Sequence, residues 1–205
     1  MRALGAVVRV PRILDHGRDF VVLEHLQLRK DGDWAALAQM LAKLHRTTGP
    51  RFGWHRDNWI GGSPQINTWH DDWAEFFLEC RLRPQASRAG IKLPALTLLE
   101  NHKPQPSLLH GDLWSGNAGF IEEGPVLFDP AVYYGDREAD LAMTELFGGF
   151  PAEFYLSYEK IFPLDAGYRQ RKHLYNLYHL LNHLNLFGAG YRAQVERTLG
   201  LLHAL

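Results

Sequence analysis

The feature that most constrains the fold is a pair of short apolar runs, 118–121 and 126–128, flanked by side chains that carry oxygen atoms. The runs are joined by Glu-Glu-Gly-Pro, and this arrangement is typical of a β-hairpin. Asp112 and Asn117 precede the hairpin, and Asp129 follows it. A hairpin brings its two ends together, so we expect these three side chains to converge.

The spacing of these side chains indicates phosphoryl transfer. That reaction needs a carboxylate to orient and deprotonate a hydroxyl, and oxygen ligands that hold magnesium on the phosphates. Asp112 and Asn117 lie five positions apart, as the catalytic Asp and the metal-binding Asn of protein kinases do. An Asp and an Asn at this spacing are also common in turns, where both residues are favoured for local backbone reasons. The preceding His110-Gly111 and the following hairpin favour the catalytic interpretation.

Helical periodicity covers most of the remaining chain. Asp31 and Asp33 are candidate caps for a helix whose apolar residues include Trp34 and Leu44 and which ends near 48–50. Further helices are predicted at 69–88, 95–101, 138–147, 151–161, 168–187 and 190–203. Residues 51–68 show no periodicity and are predicted to be a loop.

Two strands are predicted ahead of the first helix, at 10–16 and 20–26. A strand pair alone is marginal in water, so it needs more sheet or a partner. The predicted fold class is α+β: a mostly helical domain around a small hairpin, preceded by a strand pair.

Composition excludes several classes of function. The chain has 205 residues and a formal net charge of −1, which gives no reason to expect nucleic acid or an anionic membrane as a partner. No stretch approaches the ~20 apolar residues of a membrane-spanning helix. Cys80 is the only cysteine, so no intramolecular disulfide forms, and we interpret it as a core residue. A soluble, cytoplasmic protein is expected.

Three segments carry a family resemblance. HGDLWSGN at 110–117 and LFDPAVYYGDREADLAM at 127–143 resemble the fructosamine (ketosamine-3-) kinase family, within the aminoglycoside-phosphotransferase and protein-kinase-like fold. Residues 52–77 resemble the stretch that precedes the catalytic loop in that family. The resemblance implies transfer of the ATP γ-phosphate to the 3-hydroxyl of a fructosamine or ribulosamine adduct, free or protein-linked. The phosphorylated adduct would be unstable and release the amine.

The resemblance also implies residue roles. Asp112 would be the catalytic base, and Asn117 and Asp129 would bind Mg²⁺ on the phosphates of ATP. Trp114 would contact the acceptor. The hinge that meets adenine would be Glu24, His25 and Leu26, and bracing of the catalytic segment would come from Asp136 and Asp140.

Two further assignments come from the residues themselves. His110, directly before the Gly-Asp pair, is expected to orient the loop through hydrogen bonds. The density of tryptophans beside Asp57 and Asn58 indicates an acceptor pocket, although core packing is the ordinary role of tryptophan.

The resemblance leaves part of the first lobe without a counterpart. That lobe would supply a glycine-rich loop, a strand lysine and a helix glutamate, and none is visible before Val10. Lys30 and Lys43 follow the hinge and are poor substitutes for the strand lysine. We therefore divide the chain into a remnant of the N-terminal lobe with the hinge, 1–28, and a catalytic lobe, 29–205. A truncated chain, a misassigned start and a natural short form all remain open, and the exposed edge at 20–26 favours a homodimer.

Three alternatives stand beside this hypothesis. One is an aminoglycoside or choline-type kinase of the same superfamily. Another is an inactive, kinase-like binding protein. The third is a zinc site at His179 and His183, four residues apart, but the segment between them lacks the glutamate of the zinc protease motif. Packed helix histidines are the favoured interpretation of that pair.

Overall fold

A computed structural model describes residues 1–29, 31–94 and 97–205. Within those residues, helices alternate with small antiparallel sheets. The helices are α1 (Arg2–Gly5), α2 (Trp34–His45), α3 (Trp73–Phe77), α4 (Arg83–Ala89), α5 (Glu138–Leu146), α6 (Ala152–Ile161), α7 (Tyr168–Phe187) and α8 (Arg192–His203). The strands are β1 (Ile13–His16), β2 (Val21–Leu23), β3 (Asn58–Ile60), β4 (Ser63–Gln65), β5 (Ser107–Leu109), β6 (Ala118–Ile121), β7 (Gly124–Leu127) and β8 (Tyr133–Gly135). The strands pair as β1–β2, β3–β4, β5–β8 and β6–β7.

Several predicted elements are confirmed. Helices α2 and α5 to α8 lie where their periodicity placed them, to within about two residues at most ends. The central hairpin forms from β6 and β7, with Ala118 opposite Leu127 and Ile121 opposite Gly124. Pairing therefore extends to Gly124, so the predicted four-residue connection shrinks to the two glutamates.

The N-terminal strand pair is confirmed, but it is shorter than predicted. Strand β2 ends at Leu23, so the prediction of strand for 24–26 was wrong. The pair is also irregular, because its register shifts between Ile13 and Asp15. Apolar side chains here are exposed: Phe20, directly before β2, at 56% and Val21, its first residue, at 54% of their full exposure. The homodimer expected through this edge stays a prediction.

The helix predicted at 69–88 begins later and changes type along its length. Asp72 accepts the backbone N–H of Glu75 at 3.0 Å and caps α3, so the helix begins at Trp73. Between α3 and α4 lies one π-helical segment, Leu78–Leu82. The helix ends at Gly90, whose φ of 64° is readily adopted by glycine.

Two other predictions were wrong. Residues 51–68 contain the β3–β4 hairpin. The apolar alternation typical of a strand is missing there, because the inward side chains are largely polar. Residues 98–101 form turns rather than helix. The first two residues of that predicted helix, 95 and 96, lie outside the described residues, as does Lys30.

Two apolar clusters form the core, and the β5–β8 sheet lies between them. Successive side chains of a strand point to opposite faces, so Leu109 joins the cluster formed by α3, α4 and α7, while Leu108 joins the cluster formed by α2 and α6. The segment that follows β5 is therefore anchored from both sides. Among the described residues, no helix combines the length and the apolar character needed to cross a bilayer.

The first ten residues belong to the second cluster. Leu4, Val8 and Val10 pack there with α2, and the backbone N–H of Leu127 donates to the carbonyl oxygen of Arg9 at 3.1 Å. Apolar residues from both sides of the predicted boundary at 28/29 thus share one core cluster. The division into two lobes stays a prediction.

Candidate active site

The segment after β5 turns sharply at Gly111. Its φ is 84°, a conformation that glycine adopts without a steric penalty, and an added Cβ would collide with the carbonyl oxygen of Ala131. The turn leaves Asp112 half-buried at the end of the strand. Gly111 is therefore required both for the backbone conformation and for close approach to residue 131.

Asp140 fixes this turn through hydrogen bonds to its backbone. Its Oδ2 accepts the backbone N–H of His110 at 2.7 Å, and its Oδ1 accepts that of Gly111 at 2.8 Å. Burial opposes ionisation, but the hydrogen bond from His45 and the backbone donors keep the pKa of Asp140 below its ordinary value. Asp140 thus contacts the catalytic segment directly, and its predicted bracing role stays a prediction.

The His45 side chain extends the network away from the site. Its Nε2 lies 3.1 Å from Asp140 Oδ2, and its Nδ1 lies 2.8 Å from the hydroxyl of Tyr158. The Asp140 carboxylate only accepts, so Nε2 carries a proton and donates to it. Arg137 in turn donates to Tyr158 at 3.2 Å. Tyr158 gave no signal in the sequence, because this contact spans 113 positions.

His110 links the catalytic segment to the far end of the hairpin. Its Nε2 donates to the carbonyl oxygen of Phe128 at 2.8 Å, and its Nδ1 accepts the backbone N–H of Asp112 at 3.3 Å. Burial lowers the pKa of His110, so the ring is neutral and can fill both roles. These contacts are those of an orienting residue.

The hairpin brings together the three predicted oxygen-bearing residues. Asn117 Nδ2 donates to the carbonyl oxygen of Asp112 at 2.8 Å and lies 3.4 Å from its carboxylate. The backbone N–H of Phe128 donates to the carbonyl oxygen of Asn117 at 3.1 Å, which places Asp129 beside them. Asp129 has a φ of 51°, a left-handed conformation that aspartate adopts more readily than most residues other than glycine.

The electrostatics of this group affect Asp112 most. The pKa of Asp112 is raised to about 7, chiefly by burial and also by the negative charges of Asp140 and Asp129, while the hydrogen bond from Asn117 opposes the rise. A carboxylate with a pKa near neutrality is well suited to accept a proton from a hydroxyl group.

Asn117 and Asp129 fit a magnesium ion by the chemistry of their donor atoms. In the Asn117 amide, Nδ2 donates to Asp112 and Oδ1 is left to act as an acceptor. The Asp129 side chain is exposed. Both offer hard oxygen ligands of the kind that Mg²⁺ prefers.

The hydrogen bonds of the Asp136 side chain lie outside residues 110–117, and its predicted role of capping and bracing the catalytic segment stays a prediction. Asp136 accepts the hydroxyl of Tyr175 at 2.5 Å and the Nε2 of His102 at 2.7 Å, and its Oδ1 accepts the backbone N–H of Glu138, the first residue of α5, at 3.1 Å. Its contacts thus connect α5 with α7 and the 102 region, whereas Asp140 contacts the catalytic segment directly.

Two groups of side chains contain possible metal ligands. His102, Asp136 and Glu138 bring ligand atoms together, but Glu138 is paired with Arg171 at 2.7 Å and Asp136 already accepts three hydrogen bonds. Burial lowers the pKa of His179 to about 3, and His183 Nδ1 donates to the carbonyl oxygen of His179 at 2.8 Å. No third ligand joins this histidine pair within the part of the chain that the structure describes.

The predicted hinge runs alongside β6. Arg29 donates its backbone N–H to the carbonyl oxygen of Phe120 at 2.8 Å, and residues 24–29 line an open cleft of about 590 Å³ together with 121–123. Glu24 is held by Arg9 and by the backbone N–H of Arg12, and these hydrogen bonds lower the pKa of Glu24 to about 2. His25 and Leu26 line the cleft.

The predicted acceptor residues differ in how free they are. Trp114 is 39% exposed, and its ring lies against Gly116. Asp57 is exposed and accepts the backbone N–H of Asn67 with one oxygen. Asn58 is engaged inside the protein: Nδ2 donates to the carbonyl oxygen of Val132 at 2.7 Å, and Oδ1 accepts from the side chains of Gln65 and Asn67.

Comparison with known proteins gives a consistent family. The family model described as fructosamine kinase matches residues 1–204. A probable ketoamine kinase of Synechocystis is 50% identical over 96% of this chain and 73% of its own length. The chloroplastic protein-ribulosamine 3-kinase of Arabidopsis thaliana is 43% identical over 88% of this chain and 60% of its own length.

Solved structures agree with the sequence comparisons. A putative fructosamine-3-kinase from Haemophilus somnus superposes with a TM-score of 0.90 at 32% identity, over 98% of this chain and 76% of that one. A choline/ethanolamine kinase family protein from Mesorhizobium loti gives a TM-score of 0.54 at 16% identity, over 98% of this chain and 75% of that one, a likeness that shows the fold alone. The predicted α+β, protein-kinase-like fold is confirmed.

Proposed function

The chain belongs to the fructosamine kinase family, and from that premise we propose that it transfers the γ-phosphate of ATP to the 3-hydroxyl of a ketosamine, a fructosamine or ribulosamine adduct. The observation that carries the proposal is the convergence of Asp112, Asn117 and Asp129 around the β6–β7 hairpin. The names of the relatives, ketoamine kinase and protein-ribulosamine 3-kinase, support this class of acceptor.

Asp112 is the proposed base. Its carboxylate accepts the proton of the acceptor hydroxyl as the hydroxyl oxygen bonds to the γ-phosphorus, and the bond from that phosphorus to the ADP oxygen breaks. The base works in its ionised form, so a pKa near 7 places the onset of activity close to neutral pH.

The rest of the catalytic segment keeps Asp112 in place. Asp140 fixes the two peptide groups before it, and Asn117 holds its carbonyl oxygen. Asn117 and Asp129 are the proposed ligands of Mg²⁺, which when bound neutralises charge on the phosphates.

The nucleotide and the acceptor are proposed to enter from different elements. The cleft beside residues 24–29 suits adenine, since a hinge offers backbone donors and acceptors there. Trp114 is proposed to contact the acceptor, because its ring is partly exposed two residues beyond the base. The exposed carboxylate of Asp57 remains a candidate for the same pocket, whereas the polar atoms of Asn58 are engaged elsewhere.

Acceptor profiling tests the proposal. The purified chain is incubated with Mg-ATP and a fructosyl-lysine or ribulosyl-lysine peptide, and the product is followed by ³¹P NMR. We expect a sugar 3-phosphate that appears with ADP. Transfer to choline or to an aminoglycoside, with none to the ketosamines, would overturn the acceptor class. If Mg-ATP neither turns over nor raises the melting temperature, the chain is a binding protein rather than a kinase.

A further inference from the structure

Arg81 is a buried cation on the π-helical segment. Its side chain has no solvent exposure, and among the described residues no carboxylate lies within ion-pairing distance of it. Burial of an unpaired charge is costly, so such a residue persists only where other interactions compensate. Single π-turns inside helices often occur at functional sites.

The compensation comes from aromatic rings and from the β3–β4 hairpin. The guanidinium lies 4.0 Å from the ring centroid of Tyr133 and 4.7 Å from that of Phe76. It donates to the carbonyl oxygen of Ile66 at 2.5 Å and to Oδ1 of Asn67 at 2.8 Å. The planar fork of arginine thus binds the end of the hairpin while one face covers Tyr133.

The hairpin transmits this contact to residues 131 and 132. Asn67 donates to Asn58 Oδ1 at 2.8 Å, and Asn58 donates to the carbonyl oxygen of Val132 at 2.7 Å. Gln65 donates to the carbonyl oxygen of Ala131 at 3.0 Å. Buried side-chain amides therefore attach the hairpin to the backbone just after the proposed metal ligand at 129.

Residues 131 and 133 support the backbone turn at Gly111, which precedes Asp112. A Cβ placed on Gly111 would collide with the carbonyl oxygen of Ala131 and would lie 3.2 Å from the Tyr133 ring. Gly111 thus rests on residues that Arg81 contacts directly, through Tyr133, or indirectly, through Gln65 and Asn58.

We propose that Arg81 is a positioning residue of this active site. It clamps the β3–β4 hairpin onto residues 131–133 and thereby fixes the positions of Gly111 and Asp112. The kinetic part of this proposal rests on the proposed kinase function. The hinge packs on β6 rather than on this hairpin, so loss of the clamp disturbs the base and the acceptor side and leaves the nucleotide cleft intact.

Arg81→Met and Arg81→Lys test the clamp, with Arg83→Met as the control. Methionine fills a similar volume without charge, and lysine keeps the charge but cannot donate as a fork. Arg83 lies two residues further along, is 59% exposed and pairs only with Glu79 among the described residues. All three variants change the same helical stretch, and two of them remove the clamp.

Hydrogen exchange provides a readout that needs no activity. In both Arg81 variants we expect the amides of 58–67 and 110–112 to exchange roughly tenfold faster or more, while those of α5 and α6 keep their wild-type rates. The Arg83 variant should match wild type. Uniform acceleration across the chain, or no acceleration at 110–112, would overturn the proposal. If Arg81→Met does not fold, the lysine variant decides alone.

The kinetic readout separates positioning from simple destabilisation. We expect kcat to fall roughly a hundredfold and the KM for the ketosamine to rise, with the KM for Mg-ATP unchanged. A loss of folded protein would instead lower kcat with both KM values unchanged, and that result would also refute the clamp. If wild type itself shows no turnover, the proposed function fails, and the exchange data still test the clamp.

Discussion

Asn117 donates its side-chain amide to the main-chain carbonyl oxygen of Asp112 at 2.8 Å, across the five positions that separate the two residues. This bond closes the loop between the proposed base and the proposed metal ligand into one small ring. The Asn117 side chain is therefore fixed to the main chain of Asp112, and its Nδ2 also lies 3.4 Å from the Asp112 carboxylate. The first two predictions follow from this geometry.

Replacing Asp112 by asparagine should slow transfer by orders of magnitude and stabilise the fold. A positioned base contributes roughly 10²–10⁴-fold to a rate, so we expect a loss of that size. The folded-state pKa is raised to about 7 from 3.8, so folding favours the protonated form and stability is lost as pH rises from about 4 to about 7. A neutral amide at this position lacks this cost, and the variant should melt about 3–8 °C above wild type at pH 8.

Melting curves at pH 4 and pH 8 check the stability part, because the gain should shrink towards pH 4. The control is Asp71→Asn, which changes a carboxylate that is 82% exposed and paired with Arg51. It should leave both activity and melting temperature near wild type. Full turnover in Asp112→Asn would contradict the assignment of the base.

Two neighbours should move the pKa of Asp112 in opposite directions. The charge of Asp129 raises it and the hydrogen bond from Asn117 lowers it. In metal-free protein we therefore expect Asp129→Asn to lower the Asp112 pKa and Asn117→Ala to raise it. Carboxyl ¹³C NMR titration measures both. Shifts of the same sign would show that the three side chains do not share one site.

Gly111→Ala should be far more destabilising than Gly148→Ala. The two glycines have nearly equal φ values, 84° and 87°, so both variants bear the cost of a left-handed residue, about 1–2 kcal/mol. An added Cβ at Gly148 meets no atom within 4 Å, whereas one at Gly111 collides with the Ala131 carbonyl. We expect a total of roughly 3–5 kcal/mol at Gly111. Urea unfolding measures the free energy of unfolding of both variants. Equal losses would mean that a Cβ at Gly111 meets no steric obstacle.

Asp140→Asn should weaken both the fold and the base. An amide offers one acceptor oxygen in place of two, so a buried donor among the N–H groups of His110, Gly111 and His45 loses its partner. That costs about 1–3 kcal/mol. Losing the negative charge should also lower the pKa of Asp112, so the acidic limb of the pH–rate profile should shift to lower pH.

The control for this variant is Asp33→Asn at the N-cap of α2. Asparagine caps helices as well as aspartate does, so unfolding free energy should stay within a few tenths of a kcal/mol of wild type. An unchanged pH–rate profile in Asp140→Asn would mean that the charge of Asp140 does not act on the base.

Local patterns in the sequence were enough for the β6–β7 hairpin, the long helices and the grouping of Asp112, Asn117 and Asp129. Each depends on residues within about 20 positions of one another, so spacing and turn chemistry determine them. The β3–β4 hairpin was not predicted because side-chain amides such as those of Asn58 and Gln65, rather than alternating apolar residues, hold it in place.

The surroundings of the candidate site were decided only by the tertiary structure. His45 reaches Asp140 across 95 positions, and Tyr158 reaches His45 across 113. In the sequence, Arg81 is indistinguishable from the other charged residues of a predicted helix. Only packing against Tyr133 and the hairpin buries it. The sequence by itself determined which chemical groups stand at the turn. The packing of distant helices determined their charge states and their rigidity, because burial and long-range hydrogen bonds arise only when the chain is folded.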